Sequence, residues 1–276
     1  MRVSGSSGPA RATSAASLGV WPRVACLARR FCSARSALEM VHRTISFARD
    51  ANRASPCSVR KIPRVGYAGA VHSVMISSLI AEKLACVRGE RRLFEGLSFR
   101  LKAGQTLAVE GANGAGKTSL LRLIAGFLAP AAGRILVRTG EAESDDAEER
   151  GRLVGWLGHL DGLKPQMTVL EQLAFYTRLY AVRDTDLPAV LAQVGLARQS
   201  ELPCRYLSAG QKRRLALARL LASRRPLWLL DEPFAALDAA GRDLMALAMA
   251  RHCAEGGMII AATHDALGLG NESLKL

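Results

Sequence analysis

The stretch Gly111-Ala112-Asn113-Gly114-Ala115-Gly116-Lys117-Thr118 has the spacing G-x-x-x-x-G-K-[ST]. Glycines let a backbone curl until successive amide N–H groups face one anion, and a helix starting near Lys117 adds the positive end of its dipole. In such a loop Lys117 reaches the β- and γ-phosphates of a nucleoside triphosphate, and the Thr118 hydroxyl lies on Mg²⁺. Thr106–Glu110 (TLAVE) before the loop reads as a short buried strand, and Ser119–Leu128 after it carries apolar residues at helical spacing. The context that the motif requires is therefore present, and it implies binding of a nucleoside triphosphate.

A second set of chemical groups lies downstream. Leu227–Leu230 is an apolar run that ends in Asp231-Glu232-Pro233. An acid at the end of such a strand is placed to hold Mg²⁺ through Asp231, and Glu232 beside it could orient and deprotonate an attacking water. Leu207-Ser208-Ala209-Gly210-Gln211 opens a long apolar-periodic segment, with Ser208 as its N-cap. A helix N-terminus of this kind also suits an anion, although an ordinary capped helix has the same appearance.

These groups need strands and helices to hold them. Leu79–Val87 and Leu93–Leu101 read as strands joined by Arg88–Arg92, and Gly133–Val137 as a further short strand. Glu141–Glu149 reads as a solvated acidic face or loop. Thr168 with Glu171 forms a capping box ahead of a helix over 168–180, and a shorter helix covers 186–195 with Gly195 as its stop. Helices over 209–223 and 241–254 alternate with strands over 226–231 and 258–262. Strands alternating with helices around one phosphate loop imply a mostly parallel sheet covered on both faces.

Charge and cysteine usage narrow the classes. The net charge is +14, but residues 1–75 hold 12 Lys/Arg against Glu39 and Asp50, leaving 26 basic against 22 acidic residues beyond them. The excess belongs to the N-terminal segment, so it argues little for nucleic acid as a partner of the remainder. That segment reads either as an Arg- and Ser-rich mitochondrial-type transit peptide or, the favoured reading, as sequence upstream of a true start at Met75. If the segment is made, its composition is that of a disordered extension. Six scattered cysteines without a C-x-x-C pair suit reduced thiols rather than a disulfide scaffold or zinc site. No apolar window is long enough to span a membrane, so membrane association would come through a partner.

The ordered set resembles the ATP-binding cassette (ABC) ATPases: the loop 111–118, Leu207–Gln211, Asp231-Glu232, Ala236-Leu237-Asp238 and Thr263-His264-Asp265. The resemblance covers about residues 77–276. It implies an α/β P-loop nucleotide-binding domain over 76–276, with a mostly parallel core sheet, an antiparallel β subdomain and a helical signature subdomain. It implies ATP and Mg²⁺ as ligands, with Gly111, Asn113, Gly114, Ala115, Gly116, Lys117, Thr118 and Ser119 around the phosphates and Thr118 and Asp231 at the metal. Glu232, His264 and Lys117 are the expected catalytic residues. Two cassettes are expected to pair head to tail, so that Ser208, Gly210 and Gln211 meet nucleotide held by the partner copy and Asp238 lies at the interface.

Two positions depart from the family. The adenine-stacking aromatic falls on Arg88, whose guanidinium can still stack on a base. The family's loop glutamine falls on His159 or Leu160, and a leucine cannot ligate Mg²⁺. Gln166 is nearby in sequence.

Segments such as WLGHLDGLKPQMTVLEQLAFY and LSAGQKRRLALARLLASRRPLWLLDEPFAALD resemble the CcmA family in particular, the ATP-binding subunits of the haem exporter of cytochrome c maturation. This implies CcmB-like and CcmC-like membrane permeases as partners, and haem passed on through the chaperone CcmE. It also implies peripheral attachment to the cytoplasmic face of the bacterial inner membrane, or to the matrix side of the mitochondrial inner membrane if the extension is a transit peptide. Little sequence follows His264, as in a minimal cassette. The alternatives are a subunit of another small-molecule or lipid exporter, a soluble cassette acting on ribosomes or DNA, and a binding module without hydrolysis. An intact Glu232 argues against the last.

Overall fold

The structure, a computed structural model, describes residues 75–265, 267 and 272–276. The readings of residues 1–74 lie outside this range. The described residues fall within one unit of the chain, Ala68–Leu276.

Two sheets make the framework. Strands β1 (Ser78–Arg88), β2 (Arg91–Lys102), β4 (Ala132–Thr139) and β5 (Ala142–Ser144) form an antiparallel sheet in the order β2-β1-β4-β5. Strands β3 (Thr106–Glu110), β6 (Val154–Leu157), β7 (Leu227–Asp231), β8 (Met258–Ala262) and β9 (Glu272–Lys275) form a parallel sheet in the order β6-β7-β8-β3-β9. The helices are α1 (Lys117–Ile124), α2 (Ala147–Leu153), α3 (Val169–Leu179), α4 (Leu187–Gln193), α5 (Ala209–Ser223) and α6 (Ala239–Ala254).

The central strands β3, β7 and β8 of the parallel sheet are buried on both faces, which is why they read as continuous apolar runs, whereas the edge strand β9 is exposed and polar. Along β7, Leu227 and Leu229 pack with α1 and the antiparallel strands, whereas Trp228 and Leu230 pack with the helices on the opposite side. Along β8, Ile260 joins the first core, and Ile259 and Ala261 join the second. Each fully buried leucine or isoleucine contributes roughly 1.5–3 kcal/mol of transfer free energy. These two cores clamp the strands whose ends carry the chemical groups.

Several local expectations need correcting. The helix after the phosphate loop starts at Lys117, as expected, but ends at Ile124 instead of continuing through the apolar-periodic stretch to Leu128. It stops because Gly126 takes φ +79°, and a Cβ there would sit 2.8 Å from the carbonyl oxygen of Ala147. The acidic run is a solvated face, as one of the two readings has it, and it is built from β5 and the first turn of α2, where Asp146 accepts from the amides of Glu148 and Glu149. The helix expected over 241–254 begins two residues earlier, because Asp238 caps it by accepting from Gly241 N at 2.9 Å. Strands β6 and β9 have no counterpart in the sequence-based reading.

Candidate functional site: a phosphate loop facing two strand ends

The phosphate loop leaves the carboxyl end of β3, and the acid pair and Thr263-His264 leave the carboxyl ends of β7 and β8. In open α/β sheets ligands bind beyond these strand ends. Adjacency follows from register: Asp231 pairs with Ala262 and Val109 with Ala262 across neighbouring strands. Three segments far apart in sequence thus converge.

Gly116 is the N-cap of α1 with φ 114° and no side-chain cap, and Gly114 has φ 82°. The first-turn amides of α1 therefore face outward with the helix dipole behind them, a ready anion site. Lys117 is buried; its ammonium donates to Gly111 O at 2.7 Å and Ala112 O at 3.4 Å, which orients it along the loop. Its Nζ also lies 3.1 Å from His264 Nε2. The Thr118 hydroxyl donates to Asp231 Oδ2 at 2.9 Å, and Asp231 is buried. Two hard oxygen donors thus stand together at the helix start, a donor set that fits Mg²⁺. Glu232 follows with φ 50°, left-handed for a residue with a side chain, and its amide donates to Ala262 O at 2.8 Å. His264 Nε2 is 3.3 Å from Asn113 Oδ1 and 3.8 Å from Glu232 Oε1.

A family model described as ABC transporter matches residues 94–235. The cytochrome c biogenesis ATP-binding export protein CcmA of Rhodopseudomonas palustris (strain BisB5) is 53% identical over 193 residues, covering 70% of this chain and 94% of that protein. The chain belongs to the ABC transporter ATP-binding family.

Other relatives agree with this membership. The CcmA proteins of Bradyrhizobium diazoefficiens and Dechloromonas aromatica are 50% and 47% identical, over 72% and 69% of this chain and 97% and 94% of their own lengths. Among solved structures, an ATP-binding subunit of an ABC transporter aligns with TM-score 0.61 at 23% identity, covering 67% of this chain and 79% of that one. A dimeric post-hydrolysis ATP-binding cassette bound to ADP and Pi aligns with TM-score 0.59 at 22% identity, covering 68% and 88%. These two show the fold. As an ABC ATPase subunit, the chain couples ATP hydrolysis to a transporter.

The remaining ABC motif residues do not all join the cluster around Lys117. Ser208 caps α5: its hydroxyl accepts from Gln211 N at 3.2 Å, and Gln211 Oε1 accepts from Ser208 N at 2.9 Å. Gly210 is close to the Glu232–Asp238 turn, since a Cβ there would lie 3.1 Å from Ala236 O. Asp238 is exposed and receives a 2.7 Å bond from Arg214, which together with the Gly241 amide holds its carboxyl below the usual range. Ser119 lies in the first turn of α1 and Ala115 N donates to Ala112 O at 3.1 Å inside the loop. Arg88 ends β1 opposite Arg91 in the hairpin and is exposed; it is Leu93 and Phe94 that approach the loop, at 3.2 and 3.3 Å from where a Gly116 Cβ would stand.

In the segment after β6, His159 and Leu160 are exposed, Leu160 at 83%. The neighbour that turns inward is Asp161, which pairs with Arg213 of α5 at 3.2 Å. Sequence reasoning singles out neither of them. The only local signal is a basic residue on the face of α5 that the apolar pattern marks as buried.

Proposed function

We propose that this ABC cassette is the ATP-hydrolysing subunit of the haem exporter that serves cytochrome c maturation. In this reading residues 76–276 are the ATPase domain, two copies pair, and CcmB-like and CcmC-like permeases hold them at the cytoplasmic face of a bacterial inner membrane. One observation carries it: the identity to proteins named as cytochrome c biogenesis export subunits runs through 94–97% of their length. The site chemistry is consistent with turnover rather than binding alone, because an ionisable Glu232 stands beside the phosphate loop.

The chain's residues divide the work as follows. Lys117 and the first-turn amides of α1 bind the β- and γ-phosphates and offset charge that builds on them as the bond breaks. Glu232 accepts a proton from a water whose oxygen attacks the γ-phosphorus, while the β–γ bridging oxygen departs with ADP. His264 contacts the γ-phosphate from the β8 side. Mg²⁺, held by Thr118 and through Asp231, would supply neutralisation of the phosphate oxygens. Ser208, Gly210 and Gln211 contribute from the second copy, with Asp238 at the interface, so ATP is shared across the pair. Loss of the γ-phosphate removes that shared ligand, and ATP drives closure only by its greater affinity for the closed pair. Arg88 is the candidate for stacking on adenine.

The test is affinity purification of the full chain from solubilised membranes. Co-recovery of a small polytopic permease with cytochrome c maturation proteins is the expected result. Recovery with ribosomes, or with the permease of an unrelated exporter, overturns the assignment. In parallel, E232Q is expected to accumulate an ATP-bound dimer, and normal turnover by E232Q would remove Glu232 as the base.

A further inference from the structure

Arg213 lies in the second turn of α5 and is 3% exposed. Its guanidinium donates to oxygens of two separate segments. On one side Nη1 meets Gly158 O at 2.7 Å and Asp161 Oδ1 at 3.2 Å, in the segment that follows β6. On the other, Nη2 meets Asp231 O at 2.8 Å and also Glu232 O, and Nε meets Pro233 O at 3.3 Å. A buried cation is tolerated only when its donors are paired, and here Asp161 is the sole carboxylate among the partners.

The carbonyls that it grips belong to the acid-bearing turn itself. Glu232 is held at φ 50°, a conformation that a non-glycine residue keeps only when its surroundings enforce it. The restraints on that residue's backbone are its amide bond to Ala262 O, the turn bond from Ala235 N to its carbonyl, and the grip of Arg213. A planar fork with five N–H donors can hold carbonyls on both sides at once, whereas a lysine ammonium on a flexible stem cannot.

We infer that Arg213 is a positioning residue for Glu232, and that through it the Gly158–Asp161 segment sets where the catalytic carboxylate stands. The inference rests on Glu232 being the base that activates water. Moving Asp161 pulls on the same guanidinium that fixes the Glu232 carbonyl, so displacement of the segment after β6 is transmitted to the reacting end of β7. His159 and Leu160, which occupy the position of the family glutamine, need make no metal contact for this link to operate.

The test uses the full chain as R213K, D161N and the double variant, with Mg-ATP hydrolysis, equilibrium ATP binding and thermal unfolding measured on each. R213K is expected to lower kcat on the order of ten- to a hundredfold, as small misplacements of a catalytic group do. ATP affinity and KM should stay within about twofold, since the phosphate loop is not touched. D161N should lower kcat in the same direction with less effect on unfolding, because Asp161 is the more exposed partner. The double variant should be no slower than R213K, as expected of two residues acting through one contact. Loss of ATP affinity in step with kcat, additive losses in the double variant, or wild-type kcat in both singles would each overturn the inference. If E232Q retains turnover the assignment of the base fails; if E232Q is inactive and R213K is normal, only the positioning role fails.

Discussion

The Thr118 hydroxyl donates a 2.9 Å hydrogen bond to the buried carboxylate of Asp231, joining the first turn of α1 to the last residue of β7. This bond fixes the two oxygen-bearing groups that would hold Mg²⁺ in one place. Replacing Asp231 by Asn keeps an oxygen for Thr118 but removes the charge. D231N is expected to lower Mg²⁺-dependent hydrolysis by about 10–100-fold. Binding of ATP in the presence of a chelator should change little. Titrating Mg²⁺ against hydrolysis rate checks this, and an unchanged Mg²⁺ requirement would count against the assignment.

Lys117 carries its charge into the centre of the loop, where Gly111 O and Ala112 O orient it. K117A removes the charge and leaves those carbonyls facing the site. Hydrolysis is expected to fall by at least about a hundredfold, the scale seen when one electrostatic donor is removed from a developing charge. Equilibrium titration with ATP should show the accompanying loss of affinity.

Ser208 caps α5 within its own chain, and the proposed pairing gives it a second, separable role, a contact to nucleotide held by the other copy. S208A removes the cap and should cost about 1 kcal/mol of stability. S208D retains a good capping side chain but brings negative charge to where the phosphate of the other copy would lie. In an E232Q background, S208D should keep its unfolding midpoint and lose the ATP-dependent dimer in sedimentation. A dimer that survives S208D would show that α5 does not face the phosphate.

His252 supplies a pH dependence unrelated to catalysis. It stacks on Trp228 with ring centroids 4.0 Å apart, and burial lowers its pKa from 6.5 to about 4. Between these values the unfolded chain binds a proton that the folded chain does not, so stability is present near pH 7 and is lost as pH falls from about 6.5 toward about 4. The shift corresponds to about 3 kcal/mol at the acid end. H252F keeps the stacking and removes the titration. Urea unfolding at pH 7 and pH 4.5 should show a smaller loss of stability for H252F than for the parent chain.

Much of the site could be read without coordinates because its chemistry is local. A phosphate loop must place its glycines, lysine and threonine within one turn, so Gly111–Thr118 is visible as a string. The apolar runs of β3, β7 and β8 are visible for the same kind of reason, since burial on both faces demands uninterrupted apolar residues. The capping box at Thr168 and Glu171 likewise appears as expected, with Glu171 N donating to Thr168 Oγ1 at 3.1 Å.

What escaped the sequence is what depends on partners far along the chain. Strand β9 is a short polar segment (ESLK) that becomes a strand only because β3 offers it an unpaired edge. Gly133–Val137 could be recognised as strand, but its placement antiparallel to β1 rather than in the parallel sheet is a choice between non-local pairings. The link from Asp161 to Arg213 spans 52 residues, and nothing in either neighbourhood announces the other. By itself the sequence determined the groups proposed to meet phosphate, metal and water, because their types and spacing are dictated by short-range geometry. The tertiary structure alone decided that α5 reaches beneath β7 and ties the Gly158–Asp161 segment to Glu232, because a buried guanidinium finds its acceptors only after the strands and helix have packed.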